Sequence, residues 1–184
     1  MNSALLVVDV QNDFCPGGAL PTPQGDKVVP VINELMDNFT LVIASRDWHP
    51  ESTKHFDIWP VHCVRETPGA EFPNTLHKEK INQILEKGTG TKDDGYSAFE
   101  ATNLNLKKFL KEKNIDELYV TGLTSEYCVK STVFDALKYK FKTLVVKEAV
   151  EGIRKHKDDH ENSFAEMEKA GAIIIDNWKS ITNR

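Results

Sequence analysis

Residues 4–10 read ALLVVDV, an almost continuous apolar run that is interrupted by one carboxylate, Asp9. Short runs of the same kind recur along the chain, with longer stretches between them. They predict six strands, at residues 4–10, 41–45, 83–86, 118–121, 143–146 and 172–175. Runs this rich in Val, Ile and Leu are typical of a parallel sheet whose two faces are both covered.

Between these strands, apolar side chains recur with the period of a helix. One predicted helical face comprises Val28, Val31, Ile32, Leu35 and Met36, and another comprises Val129, Val133, Ala136 and Leu137. Helices with these faces would cover the sheet. The sequence therefore predicts an α/β fold, a three-layer αβα domain around a six-stranded, mostly parallel sheet. The length of 184 residues suits a single domain, at residues 1–184.

Composition and charge narrow the class of protein. Hydrophobic residues make up 40% and charged residues 28%, as in ordinary globular proteins. The first apolar run ends too soon for a signal peptide or a membrane span, so we expect a cytoplasmic protein. A net charge of -5 without a Lys/Arg cluster favours a small-molecule substrate over nucleic acid or a membrane. The sequence is compatible with a homo-oligomer as well as with a monomer.

The cysteines do not form a recognisable framework. There are three, with no CxxC pair, which argues against structural disulfides and a zinc knuckle. Cys15 lies in a CPGG turn and Cys63 follows a candidate metal ligand, and we expect both to be structural. Cys128 has a different context and is the candidate reactive thiol.

Reactive side chains follow the ends of four consecutive predicted strands: Asp9, then Asp47 and His49, then Lys87, then Cys128. In open parallel sheets, ligands bind beyond the carboxyl ends of the strands, where the strand order reverses. Taken singly, an Asp at a strand end is often a turn residue, and a buried Cys is often a small hydrophobe. Their joint placement at one edge favours a functional site.

Residues 46–63, RDWHPESTKHFDIWPVHC, hold four candidate metal ligands within sixteen positions: Asp47, His49, His55 and His62. Imidazoles with one carboxylate suit a divalent Zn, Fe or Mn ion, and a loop can bring this spacing onto one ion. The alternative is a polar surface loop with solvated histidines. The other histidines have Lys-rich and Glu-rich surroundings, and we expect them to be exposed: His77, His156 and His160.

The candidate nucleophile lies in residues 119–140, YVTGLTSEYCVKSTVFDALKYK, which indicate a strand, a tight turn and a helix. With Thr124 or Ser125 as the N-cap, Cys128 falls in the first helical turn. The helix dipole and free backbone N–H groups should lower the pKa of its thiol and stabilise an oxyanion. No histidine lies beside it, so Asp9 is the candidate base. Lys87 would supply positive charge, although it can equally be a solvent-facing lysine.

Taken in order, VDVQNDFCPGGAL, RDWHP, WPVHCVRETPGAEF, EKG ahead of GYSAFE, and TGLTSEYCV resemble the nicotinamidase (pyrazinamidase) branch of the isochorismatase-like cysteine hydrolases, over essentially the whole chain. The resemblance implies an α/β fold with Rossmann-like strand order and a catalytic triad of Asp9, Lys87 and Cys128. It implies a divalent metal bound by Asp47, His49 and His62, with His55 as a ligand in some members. The implied reaction converts nicotinamide to nicotinate and ammonia through a thioester, with pyrazinamide as a second substrate.

The resemblance also implies a cis peptide bond before Thr124 and an oxyanion hole formed by the backbone N–H groups of Thr124 and Cys128. The positions that line the family's pyridine pocket hold aromatic residues here: Phe14, Trp59 and Tyr96. The chain departs from the family pattern at Thr124, at Ser125–Glu126 and in a longer loop before Tyr96. We expect these departures to affect the shape of the pocket more than the chemistry.

Two other functions stay open at this point. In one, a metal-bound hydroxide is the nucleophile and Cys128 is structural. In the other, the domain binds a metal or a small ligand without catalysis. The complete set of Asp9, Lys87 and Cys128 argues against the second.

Overall fold

The structure is a computed structural model that describes residues 2–181. Its strands are β1 (Ser3–Val8), β2 (Val42–Asp47), β3 (Gln83–Lys87), β4 (Glu117–Leu123), β5 (Lys142–Glu151) and β6 (Ile173–Ile175). Its α-helices are α1 (Val28–Met36), α2 (Leu106–Glu112), α3 (Lys130–Lys138) and α4 (Asp159–Lys169). The strands form one sheet in the order β3-β2-β1-β4-β5-β6, and every pair is parallel.

The six predicted strands are confirmed, with shifted ends. β1 stops at Val8 rather than at residue 10, because Asp9 has a φ of 49° and a strand cannot continue through it. β2 and β3 run further than predicted, as far as Asp47 and Lys87, which are partners in the parallel register. Two candidate site residues are therefore the last residues of strands and not the first residues of loops.

Apolar side chains cover both faces of the sheet, which confirms the three-layer arrangement. Both predicted helical faces pack inward, with Val31 and Leu137 half-buried at their margins. On one face, α1 packs with the cluster that contains Leu5 and Val7, while α2, α3 and α4 pack on the other with Leu6 and Val8. This alternation along β1 is what a strand buried on both sides requires.

The strand order reverses between β1 and β4, so the switch point lies beyond Val8 and Leu123. The two backbones approach closely there, since a Cβ built on Gly122 would lie 2.0 Å from the carbonyl oxygen of Val8. Gly122 also has a φ of 110°, a conformation that glycine adopts readily. Among residues 2–181, no helix is long and apolar enough to cross a membrane.

Candidate active site

A buried lysine joins the ends of three neighbouring strands. Lys87 Nζ lies 2.7 Å from Asp9 Oδ2 and 2.5 Å from Asp47 Oδ1, and it donates to the carbonyl of Gly95 at 2.8 Å. Its side chain is fully buried, so it is not a solvent-facing lysine. Burial alone would lower the pKa of Lys87, but Asp47 and Asp9 raise that pKa well above its ordinary value. The residue is therefore a fixed ammonium between two carboxylates.

Cys128 lies next to this cluster, in the turn that follows β4. The Leu123–Thr124 peptide bond is cis, as the resemblance implied, and Ser125–Val129 form a π-helical turn that leads into α3. The turn places Cys128 Sγ 3.5 Å from Lys87 Nζ. The cluster thus combines a thiol, an ammonium and two carboxylates from four adjacent strands.

The pKa of the Cys128 thiol is not lowered, and our expectation from the helix dipole was wrong. Burial raises the pKa of Cys128 well above its ordinary value, Lys87 opposes the rise, and the charges of Asp9 and Asp47 add to it. Groups from strands that are distant in the sequence therefore outweigh the local effect of the turn. In the resting state the sulfur carries its proton and needs a base.

Asp9 has the properties of such a base. Burial raises the pKa of Asp9 to about 6, although Lys87 opposes the rise, and the charge of Asp47 adds to it. The hydroxyl of Ser45 donates to Asp9 Oδ1 at 2.7 Å, and a carboxylate oxygen of Asp9 lies within 4.8 Å of Cys128 Sγ. A carboxylate whose pKa lies near neutrality can both accept and return a proton.

Three imidazoles meet beside this cluster, on the loop that follows β2. Ring nitrogens of His49, His55 and His62 lie within 4.8 Å of one another, and all three side chains are buried, so the loop is not a solvated surface loop. Asp47 Oδ2 lies 3.7 Å from His49 Nε2 and 3.9 Å from His62 Nε2. Asp47 therefore contacts Lys87 with one oxygen and faces the imidazoles with the other.

The hydrogen bonds of the imidazoles leave each Nε2 atom available. Each Nδ1 atom lies 2.7 or 2.8 Å from an oxygen that only accepts: His49 with the carbonyl of Gly88, His55 with Asp93 Oδ1, and His62 with the carbonyl of Pro60. Each Nδ1 must then carry a proton, and in a neutral ring Nε2 keeps its lone pair. Burial lowers the pKa of His55 and of His62, which favours the neutral rings.

One further observation indicates a cation at this position. His49 Nε2 is buried without a hydrogen-bond partner, which is costly for a polar atom unless an ion satisfies it. Three neutral imidazoles and one carboxylate oxygen are a ligand set that a divalent Zn, Fe or Mn ion accepts. Asp9, Asp47 and Cys128 also come within 4.8 Å of one another, but the ammonium of Lys87 already lies between the two carboxylates. The imidazole set is the one that fits a metal.

A pocket lies between the imidazoles and the thiol. Predicted residues line it: Phe14, Asp47, His49, His55, Trp59, His62, Tyr96, Thr124 and Cys128. Trp59 Nε1 donates to Tyr96 Oη at 3.0 Å, and the Phe14 ring lies 5.3 Å from the His62 ring. Asp9 and Lys87 lie beside Cys128 but outside this lining. The structure thus brings every predicted site residue into one region.

Several residues of the site were not predicted, and most of them act through the backbone or through another residue. Gln11 donates to the carbonyl of Asp47 and accepts from its N–H, both at 2.8 Å, so it fixes the end of β2. Gly88 leaves no room for a side chain, because a Cβ there would lie 2.5 Å from His49 Cε1. Ser45 and Asp93 orient Asp9 and His55 as described above.

His160 is buried, and our expectation that it is exposed was wrong. It is 5% exposed, its Nδ1 lies 2.8 Å from Ser125 Oγ, and its ring lies 4.8 Å from that of Phe164. The charged neighbours of His160 in the sequence turn to other sides of α4. His77 and His156 are exposed as expected.

Ser125 and Glu126, which depart from the family pattern, fix the turn that carries Cys128. Ser125 bonds to His160, as described, and Glu126 accepts from the backbone N–H groups of Ile153 and Arg154 at 3.0 and 2.7 Å. Ile153 also lines the pocket. The altered residues therefore connect the turn to α4 and to the wall of the pocket.

The fold and these groups define a hydrolase with a three-layer αβα fold, which carries a thiol and a metal-binding set at the switch point of its sheet. Residues 3–177 match the isochorismatase domain, and the chain belongs to that family. It is 38% identical to a nicotinamidase of Escherichia coli, over 93% of each chain. It is 34% identical to a nicotinamidase/pyrazinamidase of Mycobacterium tuberculosis, over 82% of this chain and 87% of that protein.

A solved structure with the same fold is the pyrazinamidase of Pyrococcus horikoshii in complex with zinc. The two chains are 42% identical, the TM-score is 0.86, and the match covers 95% of this chain and 99% of the other. The expected α/β fold is therefore confirmed, and so is the resemblance to the nicotinamidase branch.

Proposed function

We propose that the protein hydrolyses nicotinamide to nicotinate and ammonia in NAD salvage, and pyrazinamide to pyrazinoate by the same chemistry. The observation that carries the proposal is the position of Asp47, which contacts Lys87 with one oxygen and faces the imidazoles with the other. A nucleophile cluster and a metal-binding set therefore border one pocket with aromatic walls. Nicotinamidases and pyrazinamidases are the proteins that this chain is similar to.

The reaction begins with proton transfer from the Cys128 thiol to Asp9. The resulting thiolate is stabilised by Lys87, whose ammonium lies 3.5 Å from the sulfur. The sulfur attacks the carboxamide carbon, and the backbone N–H groups of Thr124 and Cys128 donate hydrogen bonds to the oxyanion. Asp9 then gives its proton to the amide nitrogen as the carbon–nitrogen bond breaks, and ammonia leaves.

Water completes the cycle by cleaving the thioester on Cys128. Asp9 takes a proton from the attacking water, the carbon–sulfur bond breaks, and the sulfur leaves beside the Lys87 ammonium. The product acid releases its remaining proton to solvent and becomes a carboxylate, and Asp9 returns its proton to the thiolate. The raised pKa of Asp9 suits a residue that accepts and donates a proton in alternate steps.

Asp47, His49, His55 and His62 would hold one divalent zinc, iron or manganese ion, which supplies a Lewis acid to orient the ring nitrogen directly or through water. The buried Nε2 of His49 and the fixed Nδ1 protons favour this set. Phe14, Trp59 and Tyr96 would hold a planar ring flat.

We further propose that residues 1–184 act as one domain in the cytoplasm; Met1 and residues 182–184 lie outside the described part of the chain. The groups named above all come from one chain. The proposed function is therefore compatible with a homo-oligomer as well as with a monomer.

The test is ammonia release from nicotinamide by the zinc-loaded protein and by Cys128→Ala and Cys15→Ala. Cys15 is a matched control, because it is also unpaired and its residue is also 8% exposed. We expect Cys128→Ala to bind zinc but to lose activity, while Cys15→Ala stays active. Full activity of zinc-loaded Cys128→Ala would show instead that a metal-bound hydroxide is the nucleophile. Binding of nicotinamide without turnover by the unchanged protein would show a non-catalytic domain.

A further inference from the structure

We propose that Asp93 is a positioning residue that fixes His55 as a metal ligand and links the metal site to the aromatic wall of the pocket. The proposal rests on the proposed function. Asp93 belongs to the lengthened loop between Lys87 and Tyr96. The inference gives that loop a role in metal binding.

One oxygen of Asp93 accepts hydrogen bonds from the metal site and from the aromatic wall of the pocket. His55 Nδ1 and Tyr96 Oη each lie 2.7 Å from Asp93 Oδ1, and Tyr96 Oη itself accepts from Trp59 Nε1 at 3.0 Å. A continuous chain of hydrogen bonds therefore runs from Trp59 through Tyr96 and Asp93 to His55. The imidazole and both aromatic side chains also line the pocket.

The backbone holds the loop against the segment that carries His55. The N–H of Lys54 donates to the carbonyl of Thr91 at 3.0 Å, and the hydroxyl of Thr53 donates to the carbonyl of Lys92 at 3.3 Å. Both contacts lie within two residues of the Asp93–His55 hydrogen bond along the chain. The carboxylate is therefore held in place and is not a freely rotating surface group.

A carboxylate at this position determines which nitrogen of His55 can bind a metal. Because Asp93 Oδ1 is an acceptor, His55 Nδ1 carries the proton and Nε2 keeps its lone pair toward the other imidazoles. The ring of His55 also stacks on that of His49, with the ring centres 4.5 Å apart. Loss of such a carboxylate from a metal-binding histidine lowers metal affinity about 10- to 100-fold in general.

The experiment measures zinc affinity by competition with a chromogenic chelator, in the full chain carrying Asp93→Ala, Asp93→Asn or Asp57→Ala. Asp57 is the matched control, since it is an exposed carboxylate two residues beyond His55. We expect about 10- to 100-fold weaker binding for Asp93→Ala. Asp93→Asn should lose less, because its amide oxygen can still accept from His55 Nδ1. Asp57→Ala should match the unchanged protein.

Two further variants separate the metal from the aromatic wall. His55→Ala removes the imidazole, and Asp93→Ala should approach its zinc affinity. Tyr96→Phe breaks the link to Asp93 but keeps His55 in place, so its KM for nicotinamide should rise while zinc binds nearly as before. Zinc affinity of Asp93→Ala within twofold of the unchanged protein would overturn the inference and leave the proposed function standing. Absence of zinc binding by the unchanged protein would overturn the proposed metal set and this inference with it.

Discussion

Replacement of Asp9 by Asn is expected to stabilise the protein at neutral pH while it lowers activity. The pKa of Asp9 rises from 3.8 in its ordinary state to about 6 in the fold, mainly through burial. The folded protein therefore binds this proton more tightly than the unfolded chain does. The stability that Asp9 contributes below pH 3.8 is lost as the pH rises through about 6. The raised pKa corresponds to a loss of roughly 3 kcal/mol in the free energy of unfolding at pH 7.5. Asn cannot ionise, so the Asn variant avoids this loss.

The charges of the cluster determine whether this gain survives the loss of an ion pair. Lys87 contacts two carboxylates, so Asp9→Asn still leaves it paired with Asp47. Removal of one partner of a buried pair usually destabilises because the other charge is left alone, and that does not happen here. Asn has the shape of Asp and can keep a hydrogen bond with Ser45. We expect a net gain of about 1–3 kcal/mol at pH 7.5 and about half of it at pH 5.

The assay is urea unfolding followed by tryptophan fluorescence at both pH values, in chelator so that no metal contributes. Asp176→Asn, an exposed control after β6, should unfold as the unchanged protein does. Loss of the base should lower kcat for nicotinamide about 10²- to 10⁴-fold in the zinc-loaded protein. If Asp9→Asn were less stable at pH 7.5 by about 3–5 kcal/mol, the contact between Asp9 and Lys87 would outweigh the burial of a second carboxylate, and the reasoning would fail.

Three other perturbations test the same site. Lys87→Met should lower the free energy of unfolding in urea by about 3–5 kcal/mol, because it leaves two carboxylates buried without a cation. In the pH profile of the zinc-loaded enzyme, kcat/KM should fall about tenfold per pH unit below about 6, as protonated Asp9 can no longer accept the thiol proton; a flat profile to pH 5 would exclude Asp9 as the base. His160→Ala should cost about 1–3 kcal/mol of stability, because it removes one of the two side-chain partners of buried Ser125 and a buried ring contact with Phe164. The exposed His156→Ala should cost little in the same unfolding assay.

The strands could be predicted from the sequence because each is a dense apolar run, and such a run has one stable position in a sheet covered on both faces. Their ends could not. β1 ends where Asp9 turns to a positive φ, and β2 and β3 continue because Asp47 and Lys87 pair with each other. Both features depend on neighbouring strands, and no local pattern around these residues reveals them.

Lys87 shows the same limit for the site. Its neighbours Glu86 and Gly88 suggest a polar, exposed strand end, yet Lys87 is fully buried because two carboxylates from other strands neutralise it.

His160 is different, because a local pattern was available. His160, Ser163, Phe164 and Met167 follow the i, i+3, i+4, i+7 spacing of a buried helical face, and all four are buried. Because charged residues lie between them, this buried face was not recognised in the sequence.

The double contact of Asp47 makes the register of β2 and β3 a condition for the whole site. Side chains alternate between the faces of a sheet, so a shift of one residue in this pairing would send Asp47 and Lys87 to opposite faces. The ammonium would then lose a carboxylate, and the imidazoles would lose the oxygen that faces them. Gln11 opposes such a shift, because its side-chain amide forms hydrogen bonds with both the backbone N–H and the carbonyl of Asp47. The motif that supplies Asp9 thus also fixes the residue that connects the thiol cluster to the metal-binding set.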